Sequence, residues 1–206
     1  LIPGTIKSTL GNGYIGYTSA QNNMVVGVSG LPSWGYWTIA VATATKTVSN
    51  SSAETNLWNN VMSDTTTIPA SSLTASKTFE IEADGLLSTD AVSAPSLQFK
   101  VYFGTIAVLD SGAFATNSAL ANERWRVEGM VTVRTTGTTG LTMATGRAIL
   151  YDTVSSSTLR IVPMGGTTTT VVPTASARTI YLSGQFSTAD VDNILTMETA
   201  KLTQTH

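Results

Sequence analysis

Between residues 124 and 135, apolar and polar side chains exchange places at almost every step. Trp125, Val127, Val131 and Val133 fall on one side, and Arg124, Arg126, Glu128, Thr132 and Arg134 on the other. That two-residue period is the signature of a half-buried β-strand. The same alternation runs through residues 79–84, which stop at Gly85, and through residues 97–103, which Gly104 turns into residues 105–109. Shorter strand-like pieces occupy 42–48, 55–58, 141–151, 159–162, 168–172, 179–183 and 194–202. Turn chemistry separates them, as in Ser63-Asp64-Thr65, Ile68-Pro69 and Gly137 to Gly140. Residues 113–123 and 187–193 are the two helix candidates, and both are short. Eight or more strands joined by turns predict an all-β chain, an antiparallel jelly-roll-like β-sandwich. Trp58, Phe79, Ile81, Phe99, Val101, Trp125, Val127, Val131 and Val133 are its expected core anchors.

Residues 1–41 follow another pattern. They hold no acidic residue and one basic residue, Lys7, yet carry Gly4, Gly11, Gly13, Gly16, Gly27, Gly30 and Gly35. Apolar pieces at 14–17 and 24–28 lie between Gly/Asn turns. An uncharged stretch of this length makes a poor free surface. It is expected to be a glycine-rich N-terminal arm or collar packed on other chains or on the domain formed by residues 42–206; irregular loops closing one end of that domain are the alternative. Trp34, Tyr36 and Trp37, in Leu31-Pro-Ser-Trp-Gly-Tyr-Trp, suit plain packing, a subunit interface or a glycan-contact platform. Leu1, without a preceding basic region and apolar core, reads as a processing boundary rather than the start of a signal peptide.

Composition narrows the picture further. The chain has 36 threonines and 22 serines in 206 residues, and β-branched threonine loses little χ1 freedom in a strand. Charged residues make up 12%, about half the usual share, so the surface is covered mainly by hydroxyls, amides and backbone. With 42% hydrophobic residues the chain does not fit the composition of disorder. The net charge of −2 offers no field for nucleic acid or an anionic membrane, and no apolar run is long enough for a membrane-spanning helix.

Candidate chemistry is sparse. There is no cysteine, and the one histidine is the last residue, His206, which reads as a remnant of processing or tagging. A Ser-His-acid triad and imidazole or thiolate metal sites therefore drop out. Gly11-Asn12-Gly13 lacks the lysine of a phosphate loop, and Asp190/Asp192 lack the spacing of a calcium loop. Arg124, Arg126 and Arg134 share a face interrupted by Glu128, a pattern suited to ion pairing rather than to nucleic acid. Glu80, Glu82 and Asp84 share a strand face, and Glu80 and Glu82 are the first residues to test in a hydrolase reading; the simpler account makes all three the wet face opposite Phe79 and Ile81. No catalytic residue, metal ligand or cofactor is assigned.

Several segments together carry a family resemblance. Glu54-Thr-Asn-Leu-Trp58, Ile68-Pro69-Ala70 with Leu73, Phe79-Glu-Ile-Glu-Ala-Asp-Gly85, Leu97-Gln-Phe-Lys-Val-Tyr-Phe-Gly104, the segment from Trp125 to Thr135, and Asn193-Ile-Leu-Thr-Met-Glu-Thr199 resemble a recurring module of tailed-bacteriophage virion proteins. The resemblance spans roughly residues 42–203. It departs from the pattern at Ala75-Ser76-Lys77, where a glycine turn is usual. It implies a jelly-roll-like, commonly trimeric module of a tail fibre, spike or head appendage, with virion localisation. The implied partners are its own copies in a homotrimer, other virion proteins and a host-surface glycan or protein receptor. A carbohydrate-binding module and a purely architectural minor capsid or head decoration protein are the alternatives.

Overall fold

The alternating segments pair into sheets in the computed structural model, which describes residues 14–18, 23–27, 37–152, 158–165 and 168–205. The chain divides into two units, Leu1–Tyr36 and Trp37–Thr205, with His206 grouped with the first. Within the first, β1 (Tyr14–Thr18) and β2 (Asn23–Gly27) form an antiparallel hairpin with Gly16 opposite Val25.

The second unit is an all-β sandwich of two antiparallel sheets. Eight strands make the larger sheet: β3 (Trp37–Val41), β4 (Lys46–Ser49), β7 (Thr78–Ser88), β11 (Glu123–Val133), β12 (Leu141–Asp152), β13 (Thr158–Met164), β14 (Thr170–Val171) and β16 (Ile194–Thr205). Its order is β13-β12-β11-β7-β16-β3, with β14 sharing the outer edge of β12 and β4 pairing β16. The smaller sheet contains β5 (Thr55–Asn56), β6 (Thr67–Ile68), β8 (Ser96–Phe103), β9 (Ile106–Asp110), β10 (Phe114–Ala115) and β15 (Arg178–Phe186). Here β8 and β15 form the centre, flanked by β9 and β10 on one side and by β5 and β6 on the other.

Side-chain alternation fixes which way each strand faces. In β11, Trp125, Val127, Val131 and Val133 are buried, and in β7 Phe79, Ile81, Ala83 and Leu87 are buried. Leu97, Phe99, Val101 and Phe103 of β8 and Ile180, Leu182 and Phe186 of β15 supply the opposing layer. The aromatics meet across the gap: Phe99 lies 4.9 Å from Trp125, and Phe79 meets Phe103 edge-on at 5.9 Å. Trp58, in the turn after β5, is buried in the same core.

Small residues let the layers interlock. A β-carbon on Gly129 would lie 2.5 Å from Leu109 Cδ1, and one on Gly146 3.1 Å from the same atom. Gly129 and Gly146 are register partners in β11 and β12, so Leu109 of the smaller sheet enters a gap in the larger one. The reverse fit occurs at Gly184, where an added β-carbon would lie 2.5 Å from Leu195 Cδ2.

Several expectations change. Trp37–Val41 pairs with residues 201–204 of β16, so these five residues belong with the sandwich and not with the arm that was expected to end at residue 41. Residues 42–48 are only partly strand; Ala42 makes an isolated bridge to Met62 before β4 begins at Lys46. The 55–58 strand shrinks to two residues, because Asn56 accepts the Trp58 N–H and turns the chain. Gly85 does not stop its strand. β7 runs through it to Ser88, with Gly85 opposite Trp125, where the absent side chain admits the indole.

Neither helix candidate forms a helix. In 113–123, Phe114–Ala115 is strand, the Thr116 hydroxyl donates to Pro95 O, and Ala119 and Asn122 take left-handed φ values of 58° and 56°. In 187–193, Asp190 accepts the Asp192 N–H with its side chain and the Asn193 N–H with its carbonyl. Such side-chain and turn bonds compete with helical ones.

Candidate functional site

The outer face of the smaller sheet gathers the polar cluster of greatest chemical variety. In β8 the positions opposite the core are Gln98, Lys100 and Tyr102; in β15 they are Tyr181, Ser183 and Gln185. Register sets Tyr102 beside Tyr181, Lys100 beside Ser183 and Gln98 beside Gln185. The two tyrosine rings stack with centroids 4.8 Å apart and planes within 8°.

Glu54, from the segment leading into β5, reaches over this face. Its Oε2 lies 2.8 Å from Lys100 Nζ, and Ser183 Oγ donates to its Oε1 at 2.7 Å. Burial opposes the charge on Glu54, but hydrogen bonds from Lys100, Ser183 and Tyr102 outweigh it and hold the carboxyl below its ordinary pKa. The Glu54 hydrogen bond raises Lys100 despite burial. Burial, reinforced by Glu54, raises both tyrosines. The amides are oriented too: Gln98 Nε2 donates to Asp110 Oδ1 at 2.7 Å, and Gln185 Nε2 to Ser52 O at 2.9 Å. Glu54 stands in a segment quoted for the resemblance, yet its distance in sequence from Lys100 and Ser183 hides the pairing; the polar outward positions of residues 97–103 are the one local signal.

The outer face of the larger sheet carries an ion-pair lattice. Arg126 sits among Glu82 at 3.9 Å, Asp84 at 3.8 Å and Glu128 at 2.7 Å. Glu128 also holds Arg147 at 2.7 Å, while Arg124 pairs with Glu198 at 3.2 Å. Glu198 stands at the β-bulge between Met197 and Thr199. The three carboxylates of β7 thus line the face opposite Phe79 and Ile81, and two of them face an arginine. Beside them Glu80, Glu82, Glu128, Met130, Thr145 and Arg147 rim a shallow depression of about 420 Å³ whose floor includes Gly129 and Gly146.

Asp190 and Asp192 gain a third neighbour, Asp90, with carboxylate oxygens within 4.8 Å of one another. Asp90 and Asp190 also take backbone N–H groups, from Ser93 and Asp192. Of the aromatic triplet, Trp34 and Tyr36 lie outside the described residues; Trp37 is half-buried and opens β3 opposite Gln204. On the far edge, Tyr151, Leu159 and Ile161 are about half exposed, and Tyr151 pairs with Leu159 between β12 and β13.

No family model and no curated protein matches the chain. Among solved structures it is similar to the CBM2 module of the evolved Dit of Lactobacillus casei BL23 phage J-1, at 13% identity and a TM-score of 0.29, over 69% of this chain and 67% of that one.

Proposed function

We propose that the chain is a noncatalytic, jelly-roll-like structural module of a phage virion. It forms part of a tail fibre, spike or head appendage, packs as a homotrimer with other virion proteins, and presents a surface to the host. The observation that carries this is the work done by the segments quoted for the resemblance. Glu54 to Trp58 clips a loop onto β15 through Ser183 and the Leu57 N–H bond to Leu182 O. Residues 79–85 and 125–131 pair with each other in register, and residues 194–197 and Thr199 of β16 pair with residues 84–88 on the other edge of β7. Those segments brace a sandwich. Most of their ionisable residues, Glu54, Glu82, Asp84, Lys100, Arg126, Glu128 and Glu198, are held in ion pairs, in the manner of a frame and not of a reacting centre.

Chain packing is supported by low charge and by Tyr151, Leu159 and Ile161 exposed together near an outer strand, a surface that association would cover. The test is mass spectrometry of purified particles from the phage or prophage encoding the chain, with immunogold labelling to place it. Its presence in intact particles, in a copy number divisible by three, is expected. Its absence from particles that infect normally would overturn the proposal.

A further inference from the structure

The stacked tyrosines leave one ring face uncommitted. Tyr181 covers one side of Tyr102, and the register partner on its other side is Ala107 of β9, an exposed residue with a single methyl group. One step along the same two strands, Asp110 stands beside Lys100. Two residues along a strand span about 7 Å, so ring and carboxylate lie within reach of one disaccharide. Asp110 takes Gln98 Nε2 and the Gly112 N–H on Oδ1, both at 2.7 Å. Its Oδ2 retains lone pairs for a hydroxyl donor.

From this arrangement we propose that the ledge formed by Tyr102, Ala107 and Asp110 binds a neutral pyranose-containing polysaccharide. The inference rests on the host-contact part of the proposed function and supplies its ligand class. A pyranose presents an apolar C–H face and a rim of hydroxyls, which match a bare aromatic face beside fixed acceptors and donors. Charge selects against the other polymers. Lys100, the cation among the outward positions of β8 and β15, is neutralised by Glu54 at 2.8 Å, which weakens its hold on phosphates. Glu54 accepts from Lys100 and Ser183, Gln98 donates to Asp110 and Gln185 to Ser52 O, so these side chains are held before any ligand arrives, which lowers the ordering cost of binding.

The test uses the full chain on an array of neutral and acidic bacterial polysaccharides, followed by titration with oligosaccharides of the best neutral hit, read by NMR and calorimetry. Tyr102→Ala is expected to weaken binding about tenfold or more, the size of one lost stacking contact. Tyr102→Phe keeps the ring and stays within about threefold. Ala107→Trp fills the ledge from an exposed strand position where an aromatic is well tolerated, and abolishes binding while the unfolding midpoint holds. Retained binding in both Tyr102→Ala and Ala107→Trp would overturn the inference, as would wild type binding acidic polymers alone or no polysaccharide. A chain present in particles without sugar binding sinks the ledge and spares the virion proposal. Sugar binding by a chain missing from particles does the reverse.

Discussion

Replacing Gly85 with alanine tests the packing of the larger sheet by the sign of the effect. An added β-carbon would lie 1.9 Å from Thr196 O and 2.8 Å from Trp125 Cζ2. One is a backbone atom of the neighbouring strand and the other belongs to a buried indole, so neither yields freely. Relief requires parting β7 from β16 or tilting Trp125, whose Nε1 donates to Leu86 O and Thr196 O, each at 3.2 Å. Overpacking of this kind costs about 1–3 kcal/mol, and a disturbed indole bond adds about 1 kcal/mol. Alanine's lower backbone entropy in the unfolded chain returns about 0.5–1 kcal/mol. A net loss of about 1–3 kcal/mol follows, a sizeable part of the roughly 5–15 kcal/mol of a typical domain. Urea unfolding followed by tryptophan fluorescence measures it. In an unhindered strand the same substitution stabilises, so a Gly85→Ala protein as stable as wild type, or more stable, would refute the close approach of Trp125.

Four further outcomes are expected. Ser76 holds a left-handed backbone with φ at 73°, which glycine adopts without strain; Ser76→Gly should stabilise by about 1 kcal/mol in the same unfolding assay. The pKa of Glu54 is lower in the folded chain than in the unfolded one, so the unfolded state takes up more protons at acid pH. Its contribution is present above the ordinary glutamate range and is lost as pH falls through the folded pKa; Glu54→Gln should flatten that acid limb of stability against pH. Arg126→Ala leaves Glu82, Asp84 and Glu128 facing one another on a half-exposed surface; the loss should be about 1 kcal/mol or less and shrink further in high salt, as measured by urea unfolding at two ionic strengths. In light scattering, the whole chain should run as a trimer that weakens or aggregates without residues 1–36. The cut must stop there because Trp37–Val41 pairs with β16; a well-behaved monomer both ways would sink the interface reading.

Much of the frame was legible because alternation is local. The buried face of β11, Trp125 through Val133, can be read from nine consecutive letters. Glycine was harder, since the sequence does not distinguish one that turns a chain from one that makes room. Gly104 and Gly137 do turn, with φ at 70° and 110°, whereas Gly85 and Gly129 sit mid-strand to admit Trp125 and Leu109. The helix candidates failed because Asp190 bonds backbone two and three residues on and Thr116 bonds Pro95 O, 21 residues back, chemistry that a hydrophobic period does not register. The Glu54 cluster joins residues 46 and 129 positions apart. Only pairing β8 with β15 makes it visible.

Leu109 and Leu195 enter glycine gaps in opposite directions, each crossing into the sheet it does not belong to. An ordinary apolar interface lets two layers slide with little change in buried area. Here a sideways displacement must first withdraw two pegs, so the sandwich is keyed against shear. The direction in which the sandwich resists sliding is thereby written into three small residues: Gly129, Gly146 and Gly184.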